Sequence, residues 1–446
     1  MTPYKRELQK MFDLQKFGMK FGLEGMRNIL EKLGSPQRNL KLVHLAGTNG
    51  KGSVGVMLQS ILGRAGCRAG FYTSPHLVTF RERIKIGREM ISEDEVLALS
   101  ARIWPATDPE SPPTFFEFVT ALAFLYFAEK GVDLAIIETG LGGRLDSTNV
   151  IEAPLATAIT NIALEHTEHL GDTVPKIAAE KAGIIKPGVP LVCGRLAPEA
   201  GEVILARARE LGSPAKMLGR DFEAEIISTD AQGRPTISYR MGMLELDMNL
   251  PLAGPHQADN AAVALTLALS LGDQGFPITE DHMRQGLAEA QWPGRAETFP
   301  AGSWPPEGRK AQVPLLLDGA HNPAGAQALA AVLKSLSKKR LHVIVGVMAD
   351  KDIGGVLGPI LSLADRIYLT RPVFSRAASP ELLREKIIAA LGQPNAPMTL
   401  HPGIPEALRA AADEAGEGDL ALLSGSLFTV GEGRAYLCGL AEVESN

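Results

Sequence analysis

The sequence predicts an α/β protein in two units, a larger one on a mostly parallel sheet and a smaller one after it. Through the first half of the 446 residues, short Val-, Ile- and Leu-rich runs alternate with longer helical patterns. That alternation is the mark of parallel strands joined by crossover helices. After a proline-rich interruption it resumes on a smaller scale. A third observation, a glycine-rich loop between an apolar run and an amphipathic stretch, fixes where the chemistry of the larger unit sits.

Taken in order, buried strands are expected at 41–46, 68–73, 134–138, 156–159 and 191–193, each an apolar run too short for a helix. Helices are expected at 53–65, 93–103, 116–130 and 174–184. Residues 221–250 alternate polar and apolar side chains and read as a β-rich elaboration, with a helix following at about 257–271. Residues 299–314 carry four prolines and two glycines and read as an exposed loop. Beyond them, strands are expected at 315–318, 341–347, 366–369 and 420–423, with helices at 324–336 and 380–391. This second unit is Rossmann-like. The boundary falls near Glu297, giving units of 1–296 and 297–446, since one core does not serve so long a chain.

The glycine-rich loop is Gly47-Thr48-Asn49-Gly50-Lys51-Gly52-Ser53. After a buried strand and before a helix, such a loop cradles phosphates with its backbone N–H groups and the helix N-terminus. Lys51 would reach the outer phosphates, and the Ser53 hydroxyl would ligate Mg²⁺. The first gap is two residues shorter than in the strict P-loop pattern, and Gly52 separates lysine from serine. A tight turn is the plain alternative, but Lys-Gly-Ser after a buried strand favours a P-loop ATPase unit.

Glu138 ends an apolar strand and is followed at once by Thr-Gly-Leu-Gly-Gly-Arg144-Leu-Asp146. Doubly wound sheets gather functional groups at the carboxyl ends of their strands, where a carboxylate can hold Mg²⁺ beside phosphates. Strands also end in charge simply on reaching solvent. Glu165-His166-Thr-Glu168-His169 offers two imidazoles and two carboxylates without the order of a helical zinc site, so spacing leaves metal and structural readings open. Glu180-Lys181, Asp318-Gly-Ala-His321-Asn322-Pro, Gly254-Pro-His256-Gln-Ala-Asp-Asn260 and Trp292-Pro-Gly-Arg295 are each weak alone.

The bulk numbers exclude several classes. A net charge of −6 argues against nucleic acid as the main partner. Cys67, Cys193 and Cys438 are far apart and lack metal spacing, which suits a reducing compartment. The segment 1–20 lacks the apolar core of a signal peptide, and the apolar run 118–128 is too short for a bilayer. A cytoplasmic protein with no membrane partner is expected.

Together the motifs resemble the folylpolyglutamate synthase/dihydrofolate synthase family, a branch of the Mur ligase superfamily. The resemblance runs in order from Gly22-Leu23-Glu24-Gly25-Met26 and the phosphate loop to Tyr72-Thr-Ser74-Pro-His76-Leu. It continues through Thr114-Phe-Phe116-Glu117-Phe, Glu138, Glu165-His166, Glu180-Lys181, Trp292-Pro-Gly-Arg295 and Asp318-Gly-Ala-His321, and ends at Ser424-Gly-Ser-Leu-Phe-Thr-Val-Gly-Glu432.

The resemblance implies an ADP-forming ligase that joins a carboxyl of dihydropteroate or of a reduced folate to the amine of L-glutamate, through an acyl phosphate. It implies small-molecule partners only (ATP, L-glutamate and the pterin) and a monomer. By the same likeness, Asn49, Gly50, Lys51, Gly52 and Ser53 hold the ATP phosphates, and Asn260, Arg295, Asp318 and His321 contact the nucleotide or line its cleft. Ser53, Ser74, Glu138, His166 and a carbamylated Lys181 serve two Mg²⁺ sites. Lys51, Glu138, His166 and Lys181 are the catalytic set, and Gly22, Leu23, Thr114, Phe116, Asp146 and Ser147 form the pterin pocket. His169 does not match the family's histidine and reads as structural or supporting.

Three other readings are weaker. Mur ligases that act on a UDP-linked sugar carry a domain before the loop, and 46 residues before Gly47 are too few for it. A P-loop kinase leaves the second unit with Asp318 and His321 unexplained. A non-catalytic nucleotide-binding regulator has no need of Lys51, Ser53, Glu138, His166 and Lys181 together.

Overall fold

The computed structural model describes residues 1–18, 20, 22–440 and 443–444. Three sheets organise them. The first takes β1 (Leu42–Ala46), β2 (Ala69–Tyr72), β3 (Ile84–Ile86), β4 (Glu89–Met90), β5 (Leu134–Glu138), β6 (Ala156–Ile159), β7 (Leu191–Cys193) and β8 (Ala215–Met217). Its order is β4-β3-β2-β5-β1-β6-β7-β8. Strands β2, β5, β1, β6, β7 and β8 run parallel, and β3 and β4 extend one edge antiparallel. Central β1 lies beside β5 and β6, and all three are buried along their length, as continuous apolar runs require.

Two helices show why the elements form where they do. Gly50, at φ 86°, turns the chain so that the helix Lys51–Arg64 starts directly on the phosphate loop. The helix Phe115–Lys130 opens with a Thr114/Glu117 capping box and closes on Gly131 at φ 59°; it is buried on nearly every side, which explains its continuous apolar sequence.

The β-rich elaboration is an antiparallel sheet of β9 (Glu223–Thr229), β10 (Pro235–Met241) and β11 (Leu244–Asn249). Its apolar face joins the core of the helix His256–Gly272, and Tyr239 Oη lies 2.9 Å from Thr266 Oγ1. The third sheet holds β12 (Glu297–Phe299), β13 (Leu315–Leu317), β14 (Leu341–Val345), β15 (Arg366–Leu369), β16 (Met398–Leu400) and β17 (Leu420–Ser424) in the order β12-β13-β17-β14-β15-β16. All its pairs are parallel except β12 with β13.

The α/β class and the parallel sheets agree with the sequence reading. Short edge strands such as β4, β8 and β16 carry too few residues to show a period, and the sequence reading passed over them. One expectation is corrected. Residues 299–314 do not form a wholly exposed loop: Trp304 is fully buried and donates from Nε1 to Val313 O at 2.7 Å, with Ala311 and Val313 buried beside it. The prolines end regular structure there without keeping the chain in solvent.

Candidate active site

The carboxyl ends of the first sheet's parallel strands face a cleft of about 430 Å³, closed on its far side by the second unit. The phosphate loop is pinned to the segment after β6. Thr48 N donates to Asn161 O (2.9 Å), Asn49 N to Asn161 Oδ1 (2.8 Å) and Thr160 Oγ1 to Asn49 O (2.6 Å). Lys51 donates from Nζ to Gly47 O at 2.9 Å and lies 3.8 Å from Glu138 Oε1. The other oxygen of Glu138 accepts from Thr73 Oγ1. Glu138 is buried, and burial pushes its carboxyl up while the Lys51 ammonium pulls it back.

Lys181, on the helix Val174–Ala182, is buried and lines the same cleft. Burial, reinforced by the Lys51 charge, lowers its pKa to about 7, against the pull of Glu165 and Asp146. An amine so placed is substantially neutral and nucleophilic at physiological pH. His166 adopts φ 50°, in the left-handed region that a non-glycine residue seldom takes. Burial lowers the pKa of His166 and of His321, so both imidazoles are neutral at physiological pH.

The second unit closes the cleft through hydrogen bonds. Asn322 caps the helix Pro323–Ser335 by accepting from Gly325 N at 2.7 Å. The Asn322 and Asn49 amides exchange bonds of 3.0 and 3.3 Å, and Asn322 Nδ2 also donates to Glu165 Oε1 at 2.8 Å. That oxygen stands 3.9 Å from His166 Nε2 and 3.9 Å from His321 Nε2. Asp318 is half-buried and accepts from Ala296 N (2.8 Å) and Ala320 N (2.9 Å). His256 lines the cleft, and its Nδ1 is buried without a hydrogen-bond partner among the described residues.

Thus Asn49, Gly50, Lys51, Gly52, Ser53, Ser74, Glu138, His166, Lys181, Asn260, Arg295, Asp318 and His321 line one cavity. Gly22, Leu23, Thr114, Phe116, Asp146 and Ser147 do not line it. The Phe116 ring packs on Gly140, whose neighbour Leu141 is on the cleft wall. Asp146 accepts from Leu141 N at 2.8 Å and Thr148 N at 3.0 Å. Thr114 Oγ1 donates to Glu117 Oε2 at 3.0 Å. The sequence reading missed Thr73, Asn161 and Arg195 as cleft residues. Each follows the end of a parallel strand, the signal that would have found them.

A cleft at the carboxyl edge of a parallel sheet, with a phosphate loop on one wall and a second α/β layer on the other, is the setting of a nucleotide-binding enzyme. Residues 45–268 match the Mur ligase middle domain, and residues 307–427 match the Mur ligase glutamate ligase domain. The Bacillus subtilis dihydrofolate synthase/folylpolyglutamate synthase is 35% identical, covering 95% of this chain and 96% of that protein. A probable bifunctional folylpolyglutamate synthase/dihydropteroate synthase of Haloferax volcanii is also 35% identical over 97% of this chain, which spans about half (50%) of that longer protein. The solved structure of E. coli FolC in complex with DHPP and ADP superposes with a TM-score of 0.86 at 30% identity, covering 98% of each chain. The chain belongs to the folylpolyglutamate synthase/dihydrofolate synthase family of ATP-dependent ligases.

Proposed function

We propose that this chain is bifunctional, adding L-glutamate both to dihydropteroate and to reduced folates, with residues 1–296 carrying the ATP site and 297–446 presenting glutamate. The observation that carries the reading is the convergence of Lys51, Glu138 and Lys181 with Asp318 and His321 of the second unit in one cleft. A carboxylate is a poor electrophile. Transfer of the γ-phosphoryl group makes it an acyl phosphate and releases ADP; the glutamate amine then attacks the acyl carbon, the amide forms and phosphate leaves. Negative charge grows first on phosphate oxygens and then on the acyl oxygen, so Lys51 and the loop N–H groups act where it accumulates. The neutral imidazole of His321 can take the proton that the amine loses.

Magnesium fits the donors present. Among the described residues no cluster of three or more His, Cys, Asp or Glu side chains forms a full metal cage. Mg²⁺ instead takes one or two carboxylates, keeps several waters and shares substrate phosphates. Glu138, Ser53, Ser74 and His166 would hold it, at two sites, and a bound ion would withdraw charge from the phosphates. A carbamylated Lys181 would add a carboxylate to that set. The residue's neutral amine, buried near Glu165 and Asp146, suits addition to CO₂, which forms the N–C bond and releases one proton. The group around Phe116, Asp146 and Thr114 would hold the pterin, its ring against Phe116.

The test is phosphate release with Mg²⁺-ATP and L-glutamate, offering dihydropteroate or tetrahydrofolate, with products identified by mass. Turnover with both acceptors, each gaining a glutamyl unit, is expected; turnover with tetrahydrofolate alone would make the chain a folylpolyglutamate synthase only.

A further inference from the structure

A second cavity, of about 380 Å³, adjoins the first. Trp292 lines both, its ring standing between the phosphate loop at Gly52 and Lys85 of the second cavity. That ring also packs on the phosphate loop, because a Cβ at Gly52 would stand 2.5 Å from Trp292 Cζ2. The other walls come from the helix Lys51–Arg64, the turn between β3 and β4, and the chain entering the second unit. A volume of this size is that of a small-molecule site.

The charges are unbalanced. Arg64, Lys85 and Arg88 face the cavity against one carboxylate, Glu289. Glu289 is already shared, accepting from Arg64 Nε at 2.9 Å and Arg88 Nη2 at 3.3 Å. Lys85 has no ion-pair partner among the described residues, and its ammonium lies 5.6 Å from the centre of the Trp292 ring. Burial depresses the Lys85 pKa, so this cation is held where water solvates it poorly. The floor is open, since a Cβ at Gly63 or Gly87 would meet no atom within 4 Å. An aromatic face, a desolvated cation that feels the Glu82 carboxylate without pairing with it, and an exposed arginine therefore surround one volume.

We propose that this cavity is a second ligand site, for a planar aromatic molecule bearing two negative charges, and that Trp292 couples its occupancy to nucleotide binding. The ring of the ligand stacks on the indole, and its anionic groups meet Lys85 and Arg88. A ligand that shifts Trp292 shifts the loop at Gly52, and the coupling is reciprocal. Two sources share this chemistry, an aromatic dicarboxylate and a nucleoside monophosphate.

Calorimetric titration of the ADP-saturated full chain with p-aminobenzoyl-L-glutamate, and separately with AMP, tests the site and names the source. One probe is expected to bind, and Lys85→Gln/Arg88→Gln should weaken it by about tenfold or more while ADP binding to the otherwise free protein is unchanged. Saturating probe should change the ADP Kd by about fivefold or more, and ADP should change the probe's Kd by the same factor. Arg88→Gln alone, at a largely exposed position, provides a folded control and should weaken the probe by about threefold. Binding of neither probe, or equal binding in the double variant, overturns the site. Binding that leaves the ADP affinity untouched overturns the role of Trp292.

Discussion

Each of the two large sheets sets a carboxylate at or just past a strand's end, Glu138 buried and Asp318 half-buried, and their hydrogen-bond partners differ. Glu138, at the end of β5, faces the Lys51 ammonium and the Thr73 hydroxyl, besides the Ser74 backbone N–H. Asp318, just past β13, is held by the backbone N–H groups of Ala296 and Ala320, which cannot turn. Burial raises the pKa of both. On the proposed function, the first sheet's carboxylate would serve the chemistry and the second's would help fix the connection between the units. Activated phosphate would be handled on one wall and geometry set by the other.

The comparison breaks most visibly at Glu138. Glu138→Gln keeps the shape and removes the charge, so kcat should fall by about 10²–10³-fold with the melting temperature little changed. Lys181→Ala should cripple turnover to a similar or slightly smaller degree while leaving the fold intact, with no rescue by bicarbonate. Wild-type rates in that variant would remove the carbamate from the account.

The same lysine sets a pH test of stability. Its folded pKa is about 7, below its ordinary value, so the unfolded chain binds more protons from about pH 7 up to the ordinary lysine range. Its cost to stability is full below about pH 7 and fades as pH rises through that window. In CO₂-free buffer, Lys181→Met should therefore be more stable than the parent at pH 6, and the advantage should shrink by pH 10 in urea titrations.

At the other wall the effects are smaller and of another kind. In Asp318→Asn, the amide group must point its own N–H at Ala296 N or Ala320 N, leaving a buried donor unmet. A loss of about 1–3 kcal/mol in urea unfolding is expected, with the KM for ATP raised more than kcat is lowered. The smallest effect belongs to the bridge between the units. A double-mutant cycle of Asn49→Ala and Asn322→Ala should give a coupling of about 0.5–1.5 kcal/mol in nucleotide affinity, and additivity would show that the amide pair does not link the two walls.

What the sequence made legible follows from distance along the chain. The phosphate loop, Glu138 and the strand before each are contiguous, so residue type and spacing place them at one sheet edge. Glu165, His321 and Asn322 meet across the cleft from more than 150 residues apart, and no local pattern joins them. Only the resemblance to a family put both walls in one site. Trp304 misled for a physical reason: prolines and glycines report where regular structure stops, not whether the chain there is buried. Phe116 sits a layer behind the wall, where a core phenylalanine and a ligand-stacking one look alike in sequence.

The most direct test of the central claim follows the oxygen of the substrate carboxylate. With dihydropteroate labelled by ¹⁸O in its carboxylate, Mg²⁺-ATP and L-glutamate, activation in this cleft through an acyl phosphate predicts that each phosphate released carries one ¹⁸O from that carboxylate. Glutamylated product accompanied by unlabelled phosphate would contradict the account.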